Sequence, residues 1–197
     1  MFTGIIKSIG IIEDIKQEND SLRFFVSCPK IYNEAELGSS VCISGVCLTV
    51  AEKINDDLVF ELMPETLRKT IFRNKKPGSK INLESSLHVG DELGGHFVYG
   101  HVNTVGKVVD IKNEGEDKLV SIEVDDEYKK YLVAEGSVAV DGVSLTIART
   151  NKNIFTVSLI QYTLLETTLG ILQIGDEVNI EFDMMLKYLE NLVKNKI

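Results

Sequence analysis

The sequence predicts an all-β chain built from two tandem copies of one domain and finished by a single C-terminal helix. The duplication comes first. GSSVCISGVCLTVA from Gly38 lies against EGSVAVDGVSLTIA from Glu135 at a constant offset of 97. The match continues ungapped through Thr66 and Thr163, Thr70 and Thr167, Gly78 and Gly175, and Asn82 and Asn179, to Glu84 and Glu181. Fourteen identities in one register mark an internal repeat. The second observation is texture: LRFFVSC, VCISGV, CLTVAEKI, LVFELM and KINLES are short, rich in β-branched and aromatic residues, and separated by Gly, Asn or Asp, as in a small barrel or sandwich. The third is a change of period after Glu181, where Met185, Leu186, Leu189, Leu192 and Val193 recur at helical spacing behind Asp183, a good N-cap.

Taken in order, the chain opens with MFTGIIKSIGIIEDI, a strand signature with bends at Gly4 and Gly10. Its counterpart is VYGHVNTVGKVVDI from Val98: Gly4 falls on Gly100, Gly10 on Gly106, Asp14 on Asp110 and Ile15 on Ile111, all 96 apart. The joint falls just before LGGHFVYGHVNTVG, so the expected units are 1–92, 93–183 and a helix over 184–197. Brief helices are expected at PKIYNEAEL from Pro29 and PETLRKTI from Pro64, because the N–H that proline lacks would have no partner in a first helical turn. DDEYKKYLV from Asp125 and YTLLETTL from Tyr162 are the helical candidates of the second copy. The terminal helix has no equivalent in the first copy. Lys194 and Lys196 suit the negative end of its dipole, and its apolar stripe needs a cover, either its own domain or, as preferred, another subunit.

Composition narrows the function. A net charge of -9 with no dense run of Lys or Arg argues against a nucleic-acid partner and fits a small-molecule protein. Cys28, Cys42 and Cys47 are odd in number and follow no CxxC spacing, and neither a leader nor a long apolar span accompanies them. The expected setting is cytoplasmic, with reduced thiols and no membrane.

His96 and His101 sit among glycines. Residues five apart in a strand-rich stretch face opposite sides, and no Cys or carboxylate pattern completes a zinc set, so no metal is expected. The glycines do not form GxGxxG ahead of a helix; they read as bends that let backbone approach a flat ligand. His101 suits proton transfer near neutral pH, against the plain alternative of a packed or surface histidine. Cys47 in GVCLTV and Ser144 in GVSLTI share one repeat position. Packing alone would accept either residue, but residues two apart on a strand share a face, so Cys47 with Thr49 and Ser144 with Thr146 place a polar pair on the same wall of each copy. Met63 to Thr66 and Ile160 to Thr163 would supply another wall. Two related pockets follow, unequal in chemistry, since Cys stands against Ser and His101 against Ile5.

From Met1 to the terminal helix the chain resembles the riboflavin synthases, through MFTGII, GVCLTV, LGGHFVYGHV, DGVSLT and NIEFDMMLKYLE in family order. The resemblance implies two six-stranded Greek-key β-barrels and a helix that assembles a homotrimer, with the active site between the N-terminal barrel of one subunit and the C-terminal barrel of another. It also implies a dismutation without metal or other cofactor. Two molecules of 6,7-dimethyl-8-ribityllumazine in one active site exchange a four-carbon unit, giving riboflavin and 5-amino-6-ribitylaminouracil in the last step of riboflavin biosynthesis. One lumazine loses a proton from its C7 methyl, and the other is attacked at C7 by a nucleophile. The implied ligand contacts from the first copy are Gly4, Ile5, Ile6, Cys47, Leu48, Thr49, Glu61, Leu62, Met63, Pro64, Glu65 and Thr66. From the second they are Gly100, His101, Val102, Glu135, Ser144, Leu145, Thr146, Ser158, Leu159, Ile160, Gln161, Tyr162 and Thr163. The catalytic or site-lining positions are Cys47, His96, His101, Ser144, Thr146 and Asp183. Lumazine synthase is implied as a further partner.

Two departures from the family pattern fall in the second copy. Glu135 stands where a ligand-contacting Lys is common, and Gln161-Tyr162-Thr163 replaces Pro-His-Thr or Pro-Glu-Thr, so ligand affinity there is the property affected. The rival under the same resemblance is a non-catalytic antenna protein that holds the chromophore. Such relatives lose the His pair and the Cys that this chain keeps, which favours the enzyme.

Overall fold

The computed structural model describes residues 1–194. Strands β1 (Ser8–Glu18), β2 (Ser21–Ser27), β3 (Ser40–Ile43), β4 (Val46–Ile54), β5 (Asp57–Leu62) and β6 (Lys80–Ser85) close into an antiparallel barrel in the order β1-β2-β5-β4-β3-β6. Strands β7 (Thr104–Glu114), β8 (Asp117–Glu123), β9 (Ser137–Val140), β10 (Val143–Asn151), β11 (Ile154–Leu159) and β12 (Glu177–Phe182) repeat it as β7-β8-β11-β10-β9-β12, the same Greek-key order. The duplication reaches the irregularities. Register shifts between Ile12 and Asp14 and between Val50 and Glu52 recur between Val108 and Asp110 and between Ile147 and Arg149. Such bulges bend a strand, which a small barrel needs in order to close.

Alternation fills each barrel. Phe24, Leu58, Phe60 and Ile81 in the first, and Val108, Ile122, Phe155 and Val178 in the second, are 0% exposed. Short helices α1 (Pro29–Tyr32), α2 (Pro64–Lys69) and α3 (Gln161–Glu166) lie where the sequence places them, the first two opened by proline. The stretch from Asp125 differs: it is a 3-10 turn, Asp126–Tyr131, not an α-helix. The tighter repeat brings Tyr128 and Tyr131 to one side, where both rings lie against Phe182, at 5.6 and 5.4 Å between centroids.

β6 and β12 are buried on both faces, because the outer face of each forms the seam between barrels. There the Asn82 side chain accepts from Thr168 N (2.8 Å) and donates to Asp141 O (3.0 Å). Asn179 does the same with Ile71 N (2.9 Å) and Ser44 O (2.8 Å). A Cβ on Gly45 would lie 2.9 Å from Gly142 N, so the two backbones touch. Asp141 occupies the repeat position of Ser44 and is 4% exposed; its Oδ1 accepts from Asn179 N at 2.7 Å. Burial raises its carboxyl to about 7, against the pull of the Asn179 N–H and Lys75.

The opening residues are not part of β1. Phe2 N donates to Val98 O (2.7 Å) and Val98 N to Phe2 O (3.0 Å), pairing the leading segments of the two copies along the seam. Each segment then completes the other barrel: Ile6 joins the core of the second, and Val102 packs on the core of the first.

Helix α4 (Met184–Lys194) starts as expected, with Asp183 Oδ1 accepting from Met185 N at 2.9 Å. Glu190 ties it to the second barrel through Lys130 at 2.6 Å and the Tyr131 hydroxyl. Its other side leaves Met185, Tyr188, Leu189, Leu192 and Val193 between 54% and 63% exposed. Lys196 lies outside the described residues. Among the described residues, no helix is long and apolar enough to cross a membrane.

Candidate active site

The wall expected around Cys47 is the outer face of the barrel. Val46, Leu48 and Val50 point into the first core, which turns Cys47 and Thr49 outward; on β10, Val143 and Ile147 point inward and Ser144 and Thr146 outward. A leading segment is laid across each wall. Cys47 N donates to Gly100 O at 2.9 Å, and Ser144 N to Gly4 O at 2.8 Å. Gly100 and Gly4 have φ of +76° and +77°, and a Cβ on either would stand 2.5 Å from the Cβ of Cys47 or Ser144. Only glycine fits both the dihedral and the gap.

Two walls therefore collect the implied contact residues. β4 and β5 pair with Val50 opposite Phe60, which sets Thr49 beside Glu61 and leads into Met63 and the first turn of α2, Pro64 to Thr66. β10 and β11 pair with Ile147 opposite Val157, which sets Thr146 beside Ser158 and leads into Ile160 and Gln161 to Thr163. Gly100 to Val102 belong to the first wall, and Gly4 to Ile6 to the second. Ile6, Leu48, Leu62 and Leu159 are buried in the cores, so only their backbones can reach a ligand on these walls; Leu145 packs on the second core more loosely. Glu135 holds φ +67° where the first copy has Gly38 at +84°, a backbone strain of about 1 kcal/mol for a residue with a side chain.

The six catalytic candidates divide between the walls. His96 Nδ1 lies 2.7 Å from Ser144 Oγ, brought there by Gly95, where a Cβ would meet Thr3 O at 2.2 Å. Burial lowers the His96 pKa, partly offset by Asp183, which favours the neutral imidazole. His96, Phe97, Tyr99, Asp183 and Tyr188 line a cavity of about 250 Å³ at the start of α4. On the other wall, His101 follows Gly100 past Cys47 and stacks on Tyr99, at 6.2 Å between ring centroids. The two histidines do not sit on opposite faces of one strand, as expected from their spacing, because residues 96–101 form an irregular segment and not a regular strand. They part because His96 N is held by Thr3 O, at 3.1 Å, while His101 N is held by Glu181, at 2.8 Å. Of the cysteines, Cys28 and Cys42 are 1% exposed, and burial raises both thiols, Cys28 to about 11; Cys47 alone is half-buried.

Sequence reasoning missed Glu84 and Glu181, which anchor the leading segments. The signal was present: Asn-x-Glu recurs at 82–84 and 179–181 in the repeat. A polar pair alternating with core residues reads as a solvated strand face unless a second barrel covers it.

Comparison with known proteins fits this architecture. The profile of the lumazine binding domain matches residues 3–86 and again 99–183. The riboflavin synthase of Brucella abortus is 40% identical over 199 residues, covering 98% of each chain. The chain belongs to the riboflavin synthase family. The Bacillus subtilis riboflavin synthase is 38% identical over 189 residues, 96% of this chain and 88% of that relative. The crystal structure of LumP complexed with riboflavin superposes with a TM-score of 0.87 at 29% identity, over 93% of this chain and all of that one. LumP complexed with 6,7-dimethyl-8-(1'-D-ribityl) lumazine gives 0.84 at 30% identity, over 92% of this chain and 98% of that one. The two family matches begin at Thr3 and Tyr99, the first residues held by Glu84 and Glu181.

Proposed function

We propose that this member of the riboflavin synthase family converts two molecules of 6,7-dimethyl-8-ribityllumazine into riboflavin and 5-amino-6-ribitylaminouracil. One observation carries the reading: two equivalent glycine-strapped walls bear different reactive groups, Cys47 with His101 on one and Ser144 with His96 on the other. Two copies of one ligand held on such walls receive unequal treatment, as a dismutation needs. The two lumazines contain all the atoms of both products, so no oxidant or co-substrate enters.

In this reading the Cys47 thiolate adds at C7 of one lumazine and is released when the four-carbon unit leaves. His101 takes the proton from the C7 methyl of the other, and the resulting carbanion attacks the activated partner. Neutral His96 orients the Ser144 hydroxyl toward the ring bound on the second barrel, with Thr146 and Asp183 completing that side. Each barrel of a chain carries half of this set, and in the proposed assembly a working site joins the first barrel of one subunit, with the Gly100 strap laid on it, to the second barrel of another. The exposed apolar side of α4 supports the homotrimer that would bring them together. The enzyme acts in the cytoplasm, with lumazine synthase as a further partner.

Single-turnover rates and lumazine titrations on two variants test the assignment. His101→Gln slows proton transfer by roughly 10²-fold, and Cys47→Ser lowers turnover while lumazine still binds. Unchanged turnover in Cys47→Ser makes water the nucleophile, and unchanged turnover in His101→Gln removes it from the chemistry.

A further inference from the structure

We infer that Glu84 and Glu181 are positioning residues, each setting the pocket on the opposite barrel through the glycine strap that it anchors. The inference rests on the ligand-binding reading above and names what holds the two pockets in shape. Glu84, at the end of β6, is 1% exposed; it accepts from Thr3 N (2.7 Å), Thr3 Oγ1 (2.5 Å) and Gly4 N (3.0 Å). Glu181, at the end of β12, is 3% exposed and accepts from Tyr99 N (2.7 Å) and His101 N (2.8 Å). Thr3 and Tyr99 are one repeat position, and the second oxygen takes Gly4 N in the first copy and His101 N, one position further along the strap, in the second.

A carboxylate removed from water is costly, and an apolar side chain of similar size would serve a barrel seam at least as well. What these carboxylates supply and an apolar residue cannot is a pair of acceptors that fix N–H groups at the strap glycine or on either side of it. Glycine is the residue with the most backbone freedom to lose, and both straps hold theirs at positive φ against a side chain. The connection is crosswise. Glu84 belongs to the first barrel, but its strap closes on Ser144 of the second; Glu181 belongs to the second, but its strap closes on Cys47 of the first. Each pocket therefore depends on a strand of the other barrel.

Glu84→Gln and Glu181→Gln in the full chain keep side-chain size but turn an NH2 group against a backbone N–H. The probe is riboflavin, and the readout is its protection of Cys47 from iodoacetamide, followed by mass spectrometry of the Cys47 peptide. Glu181→Gln should raise the riboflavin concentration needed for protection about tenfold or more, the effect of losing one charged hydrogen bond. Glu84→Gln should leave protection of Cys47 unchanged and weaken the second binding event instead. Equal effects of both variants on Cys47, or no effect of Glu181→Gln, overturn the inference. Labelling of Cys28 or Cys42 reports an opened barrel; hydrogen exchange in the unaltered protein then decides. The amides of Thr3, Gly4, Tyr99 and His101 should exchange as slowly as those of β6 and β12, and fast exchange there overturns the inference. If riboflavin neither binds the unaltered protein nor protects Cys47, the ligand reading fails, and hydrogen exchange still judges the anchors.

Discussion

Asp141→Asn should stabilise the protein at alkaline pH and do nothing in acid. The carboxyl sits in the seam between barrels, 4% exposed, and burial lifts it from 3.8 to about 7. The folded state therefore binds the proton more tightly than the unfolded chain. Below pH 4 both states are protonated and Asp141 costs nothing. Between pH 4 and 7 the unfolded state alone releases the proton, so stability falls as pH rises, and above pH 7 the full cost is present. A shift of that size corresponds to about 4 kcal/mol, and relaxation of the seam reduces it to roughly 2 to 4. Asparagine keeps the acceptor for Asn179 N–H and tolerates the left-handed backbone at φ +45°. The assay is denaturant unfolding of both proteins at steps from pH 4 to pH 8.5. Asp141→Ser, which copies Ser44 of the first barrel, should behave alike. A stability difference that stays flat across the range would mean that Asp141 does not titrate against folding, as would an Asn variant less stable than the parent at pH 8.

Gly100→Ala forces a methyl into a 2.5 Å gap against Cys47 at positive φ, so it should cost about 2 to 4 kcal/mol or displace the strap and abolish ligand binding at the first wall. Gly78→Ala, with open space around its Cβ, should cost only about 1 kcal/mol and leave turnover intact; equal losses in calorimetry and turnover would dismiss the strap. Ser144→Ala removes the partner of His96 and should weaken binding or the transition state by about 1 kcal/mol or more, read from kcat and lumazine titration together. Removing Lys187 to Ile197 deletes most of the exposed apolar side of α4 and should leave monomers in sedimentation; a fully active trimer would make the helix a local cover.

Much of this architecture is legible because duplication prints the same constraint twice. The 97-residue register aligns strands, and the outward pairs Cys47/Thr49 and Ser144/Thr146 follow from period-2 alternation alone. Asp183 caps α4 as its position ahead of the apolar stripe predicts. Other features depend on contacts that one copy does not contain. MFTGII looks like strand by composition, but it is a strap, because the N–H groups of Thr3 and Gly4 are taken by Glu84 and that of Phe2 by the opposite segment, and the bonds to β6 begin only at Lys7. Asn82 and Glu84 alternate with Ile81 and Leu83 as a solvated face would, and only the second barrel shows that face to be buried. The division of His96 from His101 is invisible to spacing, since it is set by Thr3 and Glu181, each more than 75 residues from the histidine it serves.

The proposed reaction needs two unequal lumazine sites, one on each kind of barrel. The direct measurement is to incubate purified protein with 6,7-dimethyl-8-ribityllumazine in EDTA and follow both products by chromatography. One riboflavin and one 5-amino-6-ribitylaminouracil are expected for every two lumazines consumed, unaffected by the chelator. Lumazine that binds and fluoresces but is recovered unchanged would contradict it and make the chain an antenna-type binding protein; activity lost in EDTA and restored by zinc would return the two histidines to a metal site.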